Sequence, residues 1–212
     1  TVLINQYVTK GLDPNIEMKD SGVAWIGQIP KNWEIKKIKY IGSIKSGEGI
    51  TSAQLIENGQ YPVFGGNGII GFYNKYNIDR TVILIGRVGE KCGNIHLVEK
   101  ECFVSDNSLV LDLFDYQDNE WVSKCLCSRD LNKLRNQSSQ PLITGSQVKN
   151  EFIPYPPLYE RQEISKSIKK KTTELNELIE LESKRNNLLK EYRQSLISSV
   201  VTGKIRITED MI

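Results

Sequence analysis

The chain has 212 residues, of which 39% are hydrophobic and 8% aromatic, and its 28 Lys and Arg against 26 Asp and Glu leave a formal net charge of +2. With 25% charged residues and a mean hydropathy of −0.38, the composition excludes a disordered chain and gives apolar material for one real core and a little more. No apolar run approaches the roughly 18 residues that would cross a bilayer, Thr1-Val2-Leu3-Ile4 lacks the parts of a signal peptide, and a cytoplasmic location is expected.

Gly11, Pro14, Gly22, Gly27 and Pro30 punctuate the first thirty residues, which reads as an irregular arm. From Trp33 the pattern tightens, with Ile35, Ile38 and Ile41 recurring among polar residues until Gly47 and Gly49 break the run. Short strands are then expected at 61–64, 69–73, 81–85, 94–98 and 108–111. Each is β-branched or aromatic, and each is bounded by Gly, Asn or Asp. Residues 120–134 have helical spacing through Trp121, Val122, Cys125, Leu126 and Leu131. Pro154, Pro156 and Pro157 forbid helix interior or sheet centre in 151–158, which reads as an extended crossing. Beyond it, 160–201 contains no Gly or Pro and is dense in Glu, Lys, Leu and Ile, so a single helix of about forty residues is expected, some 60 Å at the helical rise.

The apolar residues of that helix fit a heptad at Ile168, Leu175, Leu178, Leu189, Tyr192 and Leu196, with polar Lys171, Glu182 and Arg185 interrupting the seam. One alternative is a solvated amphipathic helix lying on its own domain. A helix longer than the domain it adjoins cannot bury its whole stripe there, which favours a partner helix, a second copy of the chain in a homodimer. Leu3 to Leu12 also echoes Leu196 to Ile205, with Leu, Ile, Val and Thr at matching offsets. The echo suggests one period of a longer two-period protein. The expected fold class is therefore α+β: a β-rich globular domain followed by one long coiled-coil-like α-helix.

There is no phosphate-binding G-x-x-x-x-G-K-[ST] loop, and Phe64-Gly65-Gly66-Asn67-Gly68 opens onto Ile69-Ile70 as a tight hairpin turn would. Tyr155-Pro156-Pro157-Leu158 lacks the leading Asn or Asp of the amino-methyltransferase element. A single histidine, His96, makes no persuasive Ser-His-Asp set. Cys92, Cys102, Cys125 and Cys127 form no C-x-x-C, so buried free thiols are expected, with no metal site and no catalytic residue.

What remains is a set of turns rich in donors, at 65–68, 74–77, 87–94 and 136–149. Arg or Lys reads guanine, Asn or Gln reads adenine, and hydroxyls or bare glycine amides hold phosphates. The candidate DNA contacts are Asn67, Lys75, Arg87, Lys91, Asn94, Gln140, Thr144, Ser146 and Lys149. Turn chemistry alone also yields loops of this composition. The charge balances of −1, +2 and +1 for residues 1–30, 31–150 and 151–212 contain no polycation, so a DNA binder here depends on local placement or on a partner's positive surface.

Met18 to Glu34, with Trp25-Ile26-Gly27 and Pro30-Lys31-Asn32-Trp33-Glu34, strongly resembles the segment that opens a target-recognition domain in the specificity subunits of type I restriction-modification systems. Ile153-Pro154-Tyr155-Pro156-Pro157-Leu158-Tyr159-Glu160-Arg161-Gln162-Glu163-Ile164 is similar to the element that closes such a domain and starts its conserved-region helix, and Leu196 to Lys204 to the end of that helix. The resemblance implies a sequence-recognition subunit for double-stranded DNA with no catalysis of its own, reading one half of a bipartite target. It implies modification (methyltransferase) subunits that bind S-adenosylmethionine and restriction subunits that use ATP and Mg2+, so this chain itself carries no cofactor. Residues 1–14 would be the stub of a preceding helix and its linker, 15–157 the recognition domain, 158–206 the helix for dimerisation and methyltransferase docking, and 207–212 a tail. One domain and one helix in place of two suggest a half-subunit or the C-terminal half of a subunit. The competing reading is a non-catalytic adaptor, whose β module binds protein and whose helix mediates assembly.

Overall fold

The computed structural model describes residues 2–136 and 141–205, and the chain divides into two compact units, 1–166 and 167–212. In the first unit, α1 (Val2–Lys10) is a helix that packs against α2 (Asn119–Arg129) and buries Val8 and Thr9. Nine residues make a poor helix alone, and tertiary packing of one face is what holds them. β1 (Met18–Asp20) and β2 (Gln28–Pro30) pair antiparallel, Met18 opposite Pro30. Gly22 at φ +70° and Gly27 at φ +69° turn the chain between them, and the Asp20 carboxylate accepts the Gly22 N–H at 2.9 Å. The expected irregular arm is thus a helix and a two-stranded ribbon, because its glycines mark left-handed turns between short elements.

Trp33 is buried, β3 (Glu34–Lys37) follows, and a 3-10 turn at Ile38–Tyr40 leads into β4 (Gly42–Ser46). The strands expected from the central region form as β5 (Tyr61–Gly65), β6 (Gly68–Tyr73), β7 (Val82–Gly86), β8 (Ile95–Val98) and β10 (Ser108–Leu113), with β9 (Phe103–Val104) in addition. β4, β10, β7 and β8 make an antiparallel sheet in that order, and β6, β5 and β9 a second sheet in which β5 and β9 run parallel. β7 is buried on both faces, which explains its unbroken Val82-Ile83-Leu84-Ile85 run. On one face Val82, Leu84 and Val110 pack with Val104, Ile78, Val98 and Cys102, with Phe64 of β5 against them. The contacts of α2 with β7 and β8 fall to the other face by strand alternation.

Two further expectations change. The helix read over 120–134 stops at Arg129, because Asp130 adopts φ +54°, and a 3-10 turn at Leu131–Leu134 buries Leu131. The crossing at 151–158 contains a strand, β11 (Phe152–Tyr155), paired with β3 so that Pro154 lies opposite Ile35. A two-stranded ribbon leaves the proline an edge to face, so its missing N–H breaks no interior ladder. α3 (Gly145–Asn150) precedes it, and α4 (Leu158–Val201) runs 44 residues, about 66 Å at the helical rise.

The residues that carry the family resemblance close the first unit. Trp33 meets Trp121 edge to face at 5.8 Å between centroids and donates from Nε1 to Glu160 Oε2 at 2.6 Å, while Asn32 donates to the other Glu160 oxygen at 2.8 Å. Trp121 donates from Nε1 to the Pro154 carbonyl at 2.9 Å. Arg161 is buried, stacks 3.9 Å over the Tyr155 ring, donates to the Pro156 carbonyl and sits 2.8 Å from the buried Asp118 carboxylate. The Tyr155 hydroxyl donates to the same carboxylate. Burial, and then Asp118, push the Tyr155 phenol up to about 12. These motif residues hold the domain shut.

In the second unit Ile168 is buried, while Leu175, Leu178, Leu189, Tyr192 and Leu196 are 42–66% exposed. Ile168 is therefore not among the exposed residues that a partner helix could cover. Of the three polar seam residues, Glu182 and Arg185 pair with each other at 2.8 Å. Among the described residues no helix is long and apolar enough to cross a membrane.

Candidate nucleic-acid interface

The loop between β7 and β8 is pinned at both ends. Gly86 donates to the Asn94 carbonyl at 2.9 Å and accepts from Gly93 at 2.7 Å. A Cβ on Gly86 would lie 2.0 Å from the Gly66 carbonyl oxygen, so only glycine lets the β5–β6 hairpin tip approach the end of β7. Gly93, at φ +91°, is equally confined, with a Cβ falling 2.5 Å from the Asn132 nitrogen. Asn132 supports the loop from beneath, its amide donating at 2.8 Å to the carbonyls of both Glu90 and Cys92. The backbone N–H of Ile143 donates to the Arg87 carbonyl and that of Gly89 to the Pro141 carbonyl, tying in the segment before α3.

This frame brings several expected DNA contacts together. Asn67, at the hairpin tip, accepts a hydrogen bond from the Asn94 amide. Arg87 is half-buried, with Nη1 3.3 Å from Ser46 Oγ and 3.5 Å from the Asp106 carbonyl, so its planar fork is already oriented. Lys91 is exposed and makes no ion pair with any described residue. A shallow groove of about 490 Å³ lies between hairpin tip and loop, walled by Gly66, Asn67, Ile70, Val88, Lys91 and Asn107 among others, with Glu90 as the acidic side chain on the wall.

Others fall elsewhere. Lys75 lies two residues beyond Tyr73, past the end of β6 opposite the hairpin tip. Thr144 caps α3: its hydroxyl accepts from the Gln147 N–H at 3.3 Å, and Gln147 Oε1 accepts from the Thr144 N–H at 2.8 Å. That is the ordinary turn chemistry of a capping box. Ser146 is exposed on the first turn of α3 and Lys149 half-buried on its last. Gln140 lies outside the described residues.

The sequence reading passed over Arg135, whose guanidinium reaches the Glu90 carbonyl at 3.5 Å, and Asn107, whose carbonyl accepts the Arg87 N–H at 2.9 Å. Arg135 stands next to the donor-rich stretch that begins at Asn136, a signal that could have found it. For Asn107, which meets the loop only through the sheet, no such signal exists. Behind the tip, beside Gly68, lies His96, whose pKa is lowered by burial and whose buried Nε2 has no hydrogen-bond partner among the described residues. The free thiols Cys92, Cys102 and Cys125 are buried, burial holding all three above their ordinary range, with Cys102 at about 11. Among the described residues no group of three His, Cys, Asp or Glu could hold a metal ion.

The groove, lined by the amides of Asn67 and Asn107 with Lys91 and Glu90 on its wall, belongs to a β-rich unit, and the chain carries a 44-residue helix beyond it. Residues 30–191 match the model of the family described as type I restriction modification DNA specificity domain, and the chain belongs to that family. It is 28% identical over 131 residues to the EcoprrI type I restriction enzyme specificity subunit of Escherichia coli, an alignment that covers 60% of this chain and 32% of that one. To the MjaVIII specificity subunit of Methanocaldococcus jannaschii it is 23% identical over 249 residues, covering 97% of this chain and 53% of that one. Its fold is similar to the crystal structure of the S subunit of a type I restriction-modification system from M. genitalium, with a TM-score of 0.63 at 22% identity over 88% of this chain and 47% of the other. The chain spans about half or less of the length of these proteins. A specificity subunit, the class implied by the motifs, is what the relatives are by name.

Proposed function

We propose that this chain recognises double-stranded DNA, reads one half of a bipartite target, and positions the modification and restriction subunits of a type I restriction-modification complex. The observation that carries the reading is one cluster at the hairpin tip, where Asn67 and Lys91 wall the groove, Asn94 bonds Asn67 and Arg87 stands in the same loop as Lys91, in a chain of the DNA specificity family. Arg87, Lys91 and, beside the loop, Arg135 stand against Glu90 there, a local excess of positive charge that the net +2 conceals. Residues 15–157 are the recognition domain and 158–206 the assembly helix, with 1–14 and 207–212 as flanking pieces. S-adenosylmethionine, ATP and Mg2+ belong to the partner subunits, and the complex works in the cytoplasm. In isolation the chain pairs with a second copy through Leu175, Leu178, Leu189, Tyr192 and Leu196.

Reconstitution with the modification subunits and mapping of the methylated positions in exposed DNA tests this directly. One methylated sequence context is expected, and it must change when the groove residues change. If the rival adaptor reading held, gel shifts with a randomised duplex pool would show no sequence selection with or without those subunits.

A further inference from the structure

The β5–β6 ladder holds an irregularity that bears on the groove. Val63 pairs with Gly71 and Phe64 with Ile69, so the register shifts between them and Ile70 is the extra residue of a β-bulge. Bulges re-aim a side chain, and they recur next to functional sites for that reason. Here Ile70 is turned into the groove that Asn67 and Lys91 wall, although 49% of it remains exposed to water. Gly65 across the ladder leaves the space, since a Cβ at that position would lie 2.7 Å from Ile70 Cγ2. An exposed isoleucine is apolar surface held open beside the amides of Asn67 and Asn107 and the Lys91 ammonium, with Glu90 on the same wall, which suits a ligand that offers hydrogen-bonding edges, a nearby anion for Lys91 and an apolar group together. The major groove of DNA does so: phosphates flank it, and the 5-methyl of thymine is its apolar feature.

We propose that Ile70 is a specificity-determining residue that contacts the 5-methyl group of a thymine in the major groove, so that the recognised half-site contains an A·T pair under the hairpin tip. The inference rests on the DNA reading above and adds the base pair. Asn67, three residues away on the same tip, is placed to take the adenine of that pair or its neighbour through its amide.

The test uses the full chain reconstituted with its modification subunits and duplexes carrying the methylated half-site, in which each thymine in turn is replaced by deoxyuridine. One replacement should weaken binding by the wild-type chain about fourfold, the scale of one buried methyl-sized group. Ile70→Ala should bind the thymine and deoxyuridine duplexes equally, while Ile69→Ala, altered at the adjacent 57% exposed residue, should keep the difference. Circular dichroism verifies that both variants fold. Equal sensitivity of wild type and Ile70→Ala at every position, or a half-site without thymine, overturns the methyl contact and leaves DNA recognition standing. Loss of subunit assembly in Ile70→Ala with a flat deoxyuridine series would make the patch a protein contact and overturn the inference as well. A wild-type complex that selects no sequence at all removes the DNA reading beneath it.

Discussion

Arg87 and Lys91 sit four residues apart and should fail differently. The Arg87 fork is oriented by Ser46 and the Asp106 carbonyl, as a base-reading group must be, whereas Lys91 is exposed and makes no ion pair with any described residue, as suits a phosphate contact. Arg87→Ala should cost about 1–3 kcal/mol and relax specificity at one position; Lys91→Ala should weaken all sequences alike and reduce the salt slope by about one. Binding to a panel of singly substituted duplexes at several salt concentrations separates these outcomes, and unchanged specificity in Arg87→Ala would remove it from the readers. Tyr155 carries a second residue-scale consequence. Its phenol is raised from 10.0 to about 12 in the folded chain, first by burial and then by Asp118. A folded-state pKa above the unfolded value means that the contribution is complete below pH 10 and is lost as pH rises toward about 12. Thermal melting across that range should show the loss in the native chain and a flatter profile in Tyr155→Phe.

At the scale of elements, the first unit is closed by a joint in which β11, α2 and the first turn of α4 share one buried ion pair. Arg161 and Asp118 have side-chain exposures of 7% and 2%, so solvent reaches neither well enough to replace a lost partner. Arg161→Leu leaves Asp118 uncompensated and should destabilise by about 3–5 kcal/mol in urea unfolding; a change under about 1 kcal/mol would mean that the Trp33–Glu160 and Trp121–Pro154 bonds suffice. The two family-like motifs thus act through packing. Their residues meet from positions more than a hundred apart in sequence, Trp33 reaching Glu160, while the groove is built from stretches the motifs do not include.

For the whole molecule, the exposed stripe at Leu175, Leu178, Leu189, Tyr192 and Leu196 is the feature a second chain would cover. Sedimentation at tens of micromolar should show a dimer, and Leu178→Glu with Leu189→Glu should yield a monomer whose first unit melts unchanged. A two-fold pair of identical readers would recognise an interrupted palindrome, because protein symmetry is mirrored in its site. A monomer in the native chain, or an asymmetric target for the homodimer, would overturn this assembly.

Local periodicity settled much by itself. The breaker-free run to Val201 determined the long helix, and β-branched clusters between glycines determined β5, β6, β7, β8 and β10, since both signals depend on neighbours in the chain. The Gly65–Gly68 turn and the loop from Arg87 to Asn94 were legible as donor-rich turns for the same reason. Short elements were not. α1, β1 and β2 exist through packing and pairing with distant partners, and Asp130 stops α2 through a left-handed backbone that composition does not announce. Within the candidate site, residue type could nominate Asn67, Arg87, Lys91 and Asn94, but also Thr144, whose hydroxyl caps a helix, and Lys75, at the far end of a strand. What only tertiary structure decided is which donors share a groove, because that depends on Gly86 letting the hairpin tip reach the end of β7 and on a bulge that turns Ile70 between them.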